Sequence, residues 1–295
     1  MDRLKRLEAE GKLGKKSGSR FWRKMANNHL AMFGLWTFAI ILVLCIGAPL
    51  VTHYDPNAID MGQLLKPPTW NHLFGTDKVG RDVFARVLYG GRISILVGLG
   101  SALGAALIGV SLGVWAGFKG GIVDALVLRV SEIFMAFPQI ILVLLLVSVT
   151  GQSLTNLLII FMLTGWGSMY RQTRAKILSL REEEYVQALR AFGIHDVTIA
   201  FKHLLPNALS PIVVNITLST AMFILQEAGL SFLGLGVPMQ VATWGNILNV
   251  AQDLTILKNN WWIWLPVGCV ISLFVLSVNF IGDGLRDSTD PTQQG

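Results

Sequence analysis

The sequence predicts an all-α polytopic membrane protein that crosses a bilayer six times, and three observations predict it. Of its 295 residues, 53% are apolar or aromatic and only 14% are charged, well short of the charged quarter of an ordinary soluble domain. The charges are segregated, leaving six long stretches without a single Asp, Glu, Lys or Arg. Lys and Arg then fall unequally on the two sets of connections, as the positive-inside rule requires.

The charge-free stretches are residues 30–51, 93–118, 133–150, 154–170, 208–226 and 263–281. Each can carry a helix across about 30 Å of hydrocarbon, the third and fourth borrowing a turn from their flanks. A backbone in lipid must satisfy its own hydrogen bonds, so runs of this length read as helices and not as barrel strands. The first run, 22 residues long, exceeds the ~7 to 15 of a signal-peptide core and is expected to be a span. With the N-terminus inside, the inner segments hold 18 Lys and Arg and the outer ones six, which places the tails 1–29 and 285–295 in the cytoplasm.

Composition also excludes classes. The net charge of +6 does not point to nucleic acid, because nine of the 24 Lys and Arg lie in the first 24 residues and most others flank apolar runs. Cys45 and Cys269 sit inside apolar runs, which argues against a disulfide framework, and no Cys and His spacing suits a metal. ATP chemistry by the P-loop route is absent: Gly11-Lys-Leu-Gly14-Lys-Lys-Ser17 has the wrong glycine spacing. Asn215-Ile-Thr217 fits a glycosylation acceptor but lies within the fifth span. No nucleophile, base or metal set gathers at one depth, so no cofactor-bearing or catalytic role is expected. A gradient-driven secondary transporter would favour intramembrane carboxylates, which the span cores lack, and a bare scaffold would leave the inner loop unexplained.

In the second span Gly100 and Gly104, then Gly109, Gly113 and Gly117, recur at four residues and strip one helix face for close packing. The outer loop 52–92 carries Gly75, Thr76, Asp77, Gly80, Arg81, Asp82 and Arg86. Its glycines suggest tight turns and its Arg and Asp residues a paired, folded loop, with Lys78 a candidate contact for an external partner. Arg129 and Glu132 are three residues apart and are expected to pair on one helix face. Glu227, at the end of the fifth span, is assigned to anchoring the loop that follows. That loop, 227–262, is apolar, and its Trp244, Trp261, Trp262 and Trp264 suit a headgroup layer.

The inner loop is the most informative segment. Tyr185, Ala188, Leu189 and Phe192 fall at i, i+3, i+4 and i+7, one face of a short helix whose start is crowded by Glu182, Glu183 and Glu184. Gly193 sits where a helix end wants a left-handed residue, Asp196 is placed to cap a second helix, and Pro206 to close the unit. A helix-turn-helix for DNA is disfavoured by tethering at both ends and by the acidic start. A compact amphipathic hairpin over 182–205 suits docking of a soluble partner.

These residues resemble the ABC importer permeases of the dipeptide, oligopeptide and nickel group, specifically the second permease subunit. The superfamily's Glu-Ala-Ala, Gly, Ile-x-Leu-Pro signature is matched here by Gln187-Ala188-Leu189, Gly193 and His203-Leu204-Leu205-Pro206, with departures at Gln187, Leu189 and His203. Three further stretches resemble the narrower family: 74–94, 227–236 with Trp244 and Gly245, and 282–291. The resemblance implies a type I ABC importer transmembrane domain over 93–284. It implies a heterodimer with a related permease, two ATPase subunits carrying ATP and Mg and docked on the inner loop, an external solute-binding protein, and a bacterial or archaeal cell membrane. Peptides are the cargo it most often implies, with nickel the alternative.

Overall fold

The computed structural model describes residues 24–289; most of the N-terminal tail, including the segment 11–17, and the last six residues lie outside the described part. Everything regular in it is helical, apart from one isolated bridge between Thr76 and Asp82. In chain order the helices are α1 His29–Ile46, α2 Ala48–Val51, α3 Val83–Lys119, α4 Gly121–Met135, α5 Gln139–Thr150, α6 Leu154–Arg181 and α7 Glu184–Ala191. Then follow α8 Asp196–Thr198, α9 Leu205–Phe232, α10 Trp244–Leu248, α11 Leu254–Asn259 and α12 Trp261–Thr289.

Four helical runs among the described residues are long and apolar enough to cross a membrane: α1, α3, the continuous run Asp196–Phe232, and α12. The pair α4 and α5 makes a fifth if counted as one broken span. The expected third span is thus not a single rod, since the chain turns by 84° between α4 and α5. Pro138 is the reason: it lacks an amide hydrogen and pushes Phe137 out of the helical region, so α4 ends and α5 restarts beyond it. The expected fourth span is a helix, α6, that runs on to Arg181, but it is not among these apolar runs, because polar residues such as Asn156, Thr164 and Ser168 lower its hydropathy.

Other boundaries shift for identifiable reasons. The second span begins at Val83, ten residues before the charge-free run, because Asp82 Oδ1 caps it by accepting from Ala85 N at 2.6 Å. The outer loop therefore ends at Asp82. Pro206 does not close the hairpin either. It stands in the first turn of α9, where its missing amide is tolerated, and the preceding residues Ile199–Leu204 open into a π-helical turn that joins α8 to α9. Asp196 lies inside α8, with His195 at the cap position and no side-chain capping bond. At the C-terminus α12 continues into what the sequence marks as tail.

Helix α3 is the hub, packed along α6 and α9 and touched by α1 and α10. Lipid supplies no hydrophobic force between helices, so close approach of backbones must do the work. The glycine stripe supplies it within the chain: a Cβ on Gly109 would lie 2.5 Å from Trp166 O, and one on Gly113 2.9 Å from Tyr170 O, both on α6. Around this seam, Phe161 stacks on Phe223 with ring centroids 5.1 Å apart. At the end of the bundle bearing the 52–82 loop, Trp244 is fully buried against Phe274, Val87 and Ile263. Its indole donates to Val87 O at 3.0 Å, so it belongs to the core and not to a headgroup layer. Trp261 is 51% exposed at the start of α12.

Candidate functional site

At the opposite end of the bundle stands the hairpin. Helix α7 ends in a Schellman arrangement: Gly193 N donates to Arg190 O at 2.9 Å and Ile194 N to Leu189 O at 3.2 Å, with Gly193 at φ +74°. The turn redirects the chain into α8 and, through the π-helical turn, into the α9 span. The hairpin is fixed to the body by Val186, fully buried with Phe118 of α3, Ile177 of α6, and Ile199 and Leu204. Arg190 adds a cation–π contact, 4.8 Å from the centre of the Phe118 ring.

The face predicted from periodicity divides. Leu189 turns toward the body, whereas Ala188, Tyr185 and Phe192 face outward, Phe192 being 82% exposed. Val197 and Phe201 extend this exposed apolar surface across the turn. Leu205 packs inward and Pro206 is exposed at the foot of α9. Single exposed apolar residues are ordinary, but this cluster caps a rigidly held turn.

At the other end, the part of the outer loop that leads into α3 is built in the opposite manner. Thr76, Asp77, Asp82 and Arg86 are all buried. Asp77 accepts from Val79 N and Arg81 N with one oxygen and from Arg81 Nε at 2.7 Å with the other, while Arg86 approaches to 4.0 Å. Arg86 also donates to Pro56 O at 3.1 Å. Asp82, besides capping α3, lies 2.8 Å from His72 Nδ1. Thr76 Oγ1 donates to Gln63 O and accepts from Lys66 N, stitching two loop strands together. Gly75 and Gly80 have positive φ, and a Cβ on Gly80 would fall 1.8 Å from Asp60 O. Lys78 is exposed at the turn between Asp77 and Gly80, and Ile59, Met61 and Trp70 are exposed elsewhere in the loop.

Glu227 is fully buried in the last turns of α9. Ser94 Oγ donates to it at 3.1 Å and Ser231 Oγ at 2.8 Å, and Ser94 Oγ in turn accepts from Trp244 N at 3.1 Å. The carboxylate thus joins α3, α9 and the start of α10. Arg129 and Glu132 pair at 2.8 Å on the surface of α4, Arg129 being 81% exposed, so the pair contributes little. Sequence reasoning missed a stronger pair, Arg174 to Asp124, which clasps α6 to α4 through two nitrogens and two oxygens. The partners are fifty positions apart and carry no local pattern. No group of three or more His, Cys, Asp or Glu suited to a metal occurs among the described residues.

A bundle of helices long and apolar enough to cross a membrane, with a hairpin at the root of one of them, defines a polytopic membrane protein. Residues 109–292 match the family described as the inner membrane component of binding-protein-dependent transport systems, and the chain belongs to that family. Residues 18–68 match the N-terminal transmembrane domain of oligopeptide transport permease C. A protein of Brucella suis described as a peptide permease is 42% identical over 92% of this chain and 90% of its own length. The oligopeptide transport system permease protein OppC of Bacillus subtilis is 38% identical over 95% of this chain and 92% of its own. The dipeptide permease DppC of Alkalihalophilus pseudofirmus is 39% identical, covering 92% and 88%. A chain of the inward-facing MetNI methionine ABC transporter shares the fold at TM-score 0.55 and 20% identity, over 69% of this chain and 96% of that one. The protein is therefore an ABC importer permease subunit with the type I importer fold.

Proposed function

We propose that this chain moves peptides, forming one half of the translocation pathway opposite a second permease, and that its hairpin around Gly193 docks an ATPase subunit on the cytoplasmic side. Both termini then lie in the cytoplasm, and the loop 52–82 faces an external binding protein. Hydrolysis of ATP resides in the partner ATPases, and this chain contributes no catalytic group. Peptide cargo is supported by the names of relatives aligned over nine-tenths of the chain.

One observation carries the docking: Tyr185, Phe192, Val197 and Phe201 are exposed on a turn whose other face is locked into the body by Val186. An apolar surface held rigidly on a spanning helix is what a nucleotide-driven partner needs to pull on. Phe192→Asp tests it in the assembled transporter. The expected result is unchanged membrane yield with at least a tenfold drop in co-purified ATPase and in ATP-dependent peptide uptake. Full retention of the ATPase would overturn the docking.

A further inference from the structure

Three helices carry amide and hydroxyl side chains that meet within the membrane-spanning region. Gln226 Nε2 of α9 donates to Gln139 Oε1 of α5 at 3.2 Å, and Gln139 Nε2 donates to Thr164 Oγ1 of α6 at 3.2 Å. Thr164 Oγ1 donates its own hydrogen bond to Ile160 O at 2.8 Å. The chain of donors thus runs in one direction and leaves Gln226 Oε1, a buried acceptor, with no partner among the described residues. Gln139 stands at the break made by Pro138 and, like Gln226, is half-buried.

A lipid-facing surface does not carry such groups, since amides in hydrocarbon are expensive and face a helix partner or a wet cavity. The track also continues. Ser168 and Arg171 follow Thr164 at i+4 and i+7 on the same face of α6, and both are exposed. They line an open groove with Met135, Gln172 and Ala175. Arg171 has a single side-chain contact there, Nη1 at 3.7 Å from Met135 Sδ, so its guanidinium is largely unspent.

Building on the peptide-importer reading, we propose that Gln226, Gln139, Thr164, Ser168 and Arg171 form this chain's wall of the translocation pathway. The wall takes the main chain of a short extended peptide: the amides and hydroxyls pair with its N–H and C=O groups, and Arg171 takes its C-terminal carboxylate. From Thr164 to Arg171 the helix rises about 10 Å, the reach of roughly three extended residues. Recognition of this kind is indifferent to cargo side chains, because every peptide offers the same main-chain donors and acceptors.

The test uses the whole transporter, with its partner subunits, in proteoliposomes fed tri-alanine or its C-terminal amide. Gln139→Leu and Gln226→Leu are expected to keep assembly and ATPase activity while lowering uptake of both peptides about tenfold. Gln226→Asn, which keeps the amide but shortens its reach, is expected to do the same. Arg171→Gln is expected to lower uptake of the acid at least tenfold more than uptake of the amide. Undiminished uptake in the glutamine variants, an equal effect of Arg171→Gln on both peptides, or loss of the second permease on purification would overturn the proposal. The last outcome would assign the amides to subunit packing. A wild-type transporter that moves neither peptide overturns the peptide reading itself, and this inference with it.

Discussion

The two ends of the molecule use the same device to opposite effect. Each is organised by a glycine with positive φ, Gly80 in the loop and Gly193 in the hairpin. Around Gly80 the chain is crowded, its aspartates and Arg86 are buried, and their hydrogen bonds close on one another. Around Gly193 nothing lies within 4 Å of a would-be Cβ, and the nearby aromatic Phe192 points outward. The turn at Gly80 is closed by its own chain, while apolar side chains stand exposed elsewhere in the loop, at Ile59, Met61 and Trp70, and on the hairpin, at Phe192 and Val197.

The largest effect expected from this contrast is at Gly80. Gly80→Ala adds left-handed strain of about 1–2 kcal/mol to a clash with Asp60 O, so a loss of about 3 kcal/mol or more is expected, read as a collapse in folded yield from detergent. Asp77→Asn comes next. It strips Arg81 and the buried Arg86 of their carboxylate and is expected to cost about 2 kcal/mol, seen as a lower thermal midpoint. Gly193→Val meets no steric crowding but puts a β-branched residue at positive φ, a strain of about 1–2 kcal/mol, and is expected to lower the thermal midpoint less than Gly80→Ala while uncoupling ATP hydrolysis from uptake. Normal coupling in that variant would erase the functional half of the contrast. Lys78→Glu, at the exposed loop tip, is expected to change stability by less than about 0.5 kcal/mol and to weaken capture of the external binding protein. Unchanged capture would remove Lys78 from that interface.

The sequence disclosed the spans' centres better than their ends. Charge-free windows locate hydrocarbon, but α3 runs through Arg86 and Arg92 because Arg86 is paired and Arg92 donates to Cys45 O at 2.6 Å. Satisfied charges do not stop a helix. The Pro138 break was visible as a proline within an apolar run, yet hydropathy alone reads straight across it. Periodicity found the hairpin and its glycine but could not divide its apolar face, because which residues meet the body depends on how α3 and α6 present Phe118 and Ile177. The polar track was legible only as isolated glutamines. Their convergence is a product of how α5, α6 and α9 pack.

The unbroken run Asp196–Phe232 has a mechanical consequence. Thirty-seven residues of helix measure about 55 Å, so a tilt of only ten degrees about its foot swings the far end by about 10 Å. That far end is where Glu227 is tied through Ser94 to Trp244. The run therefore links the hairpin at its foot to the Glu227, Ser94 and Trp244 cluster at its far end through one continuous helix.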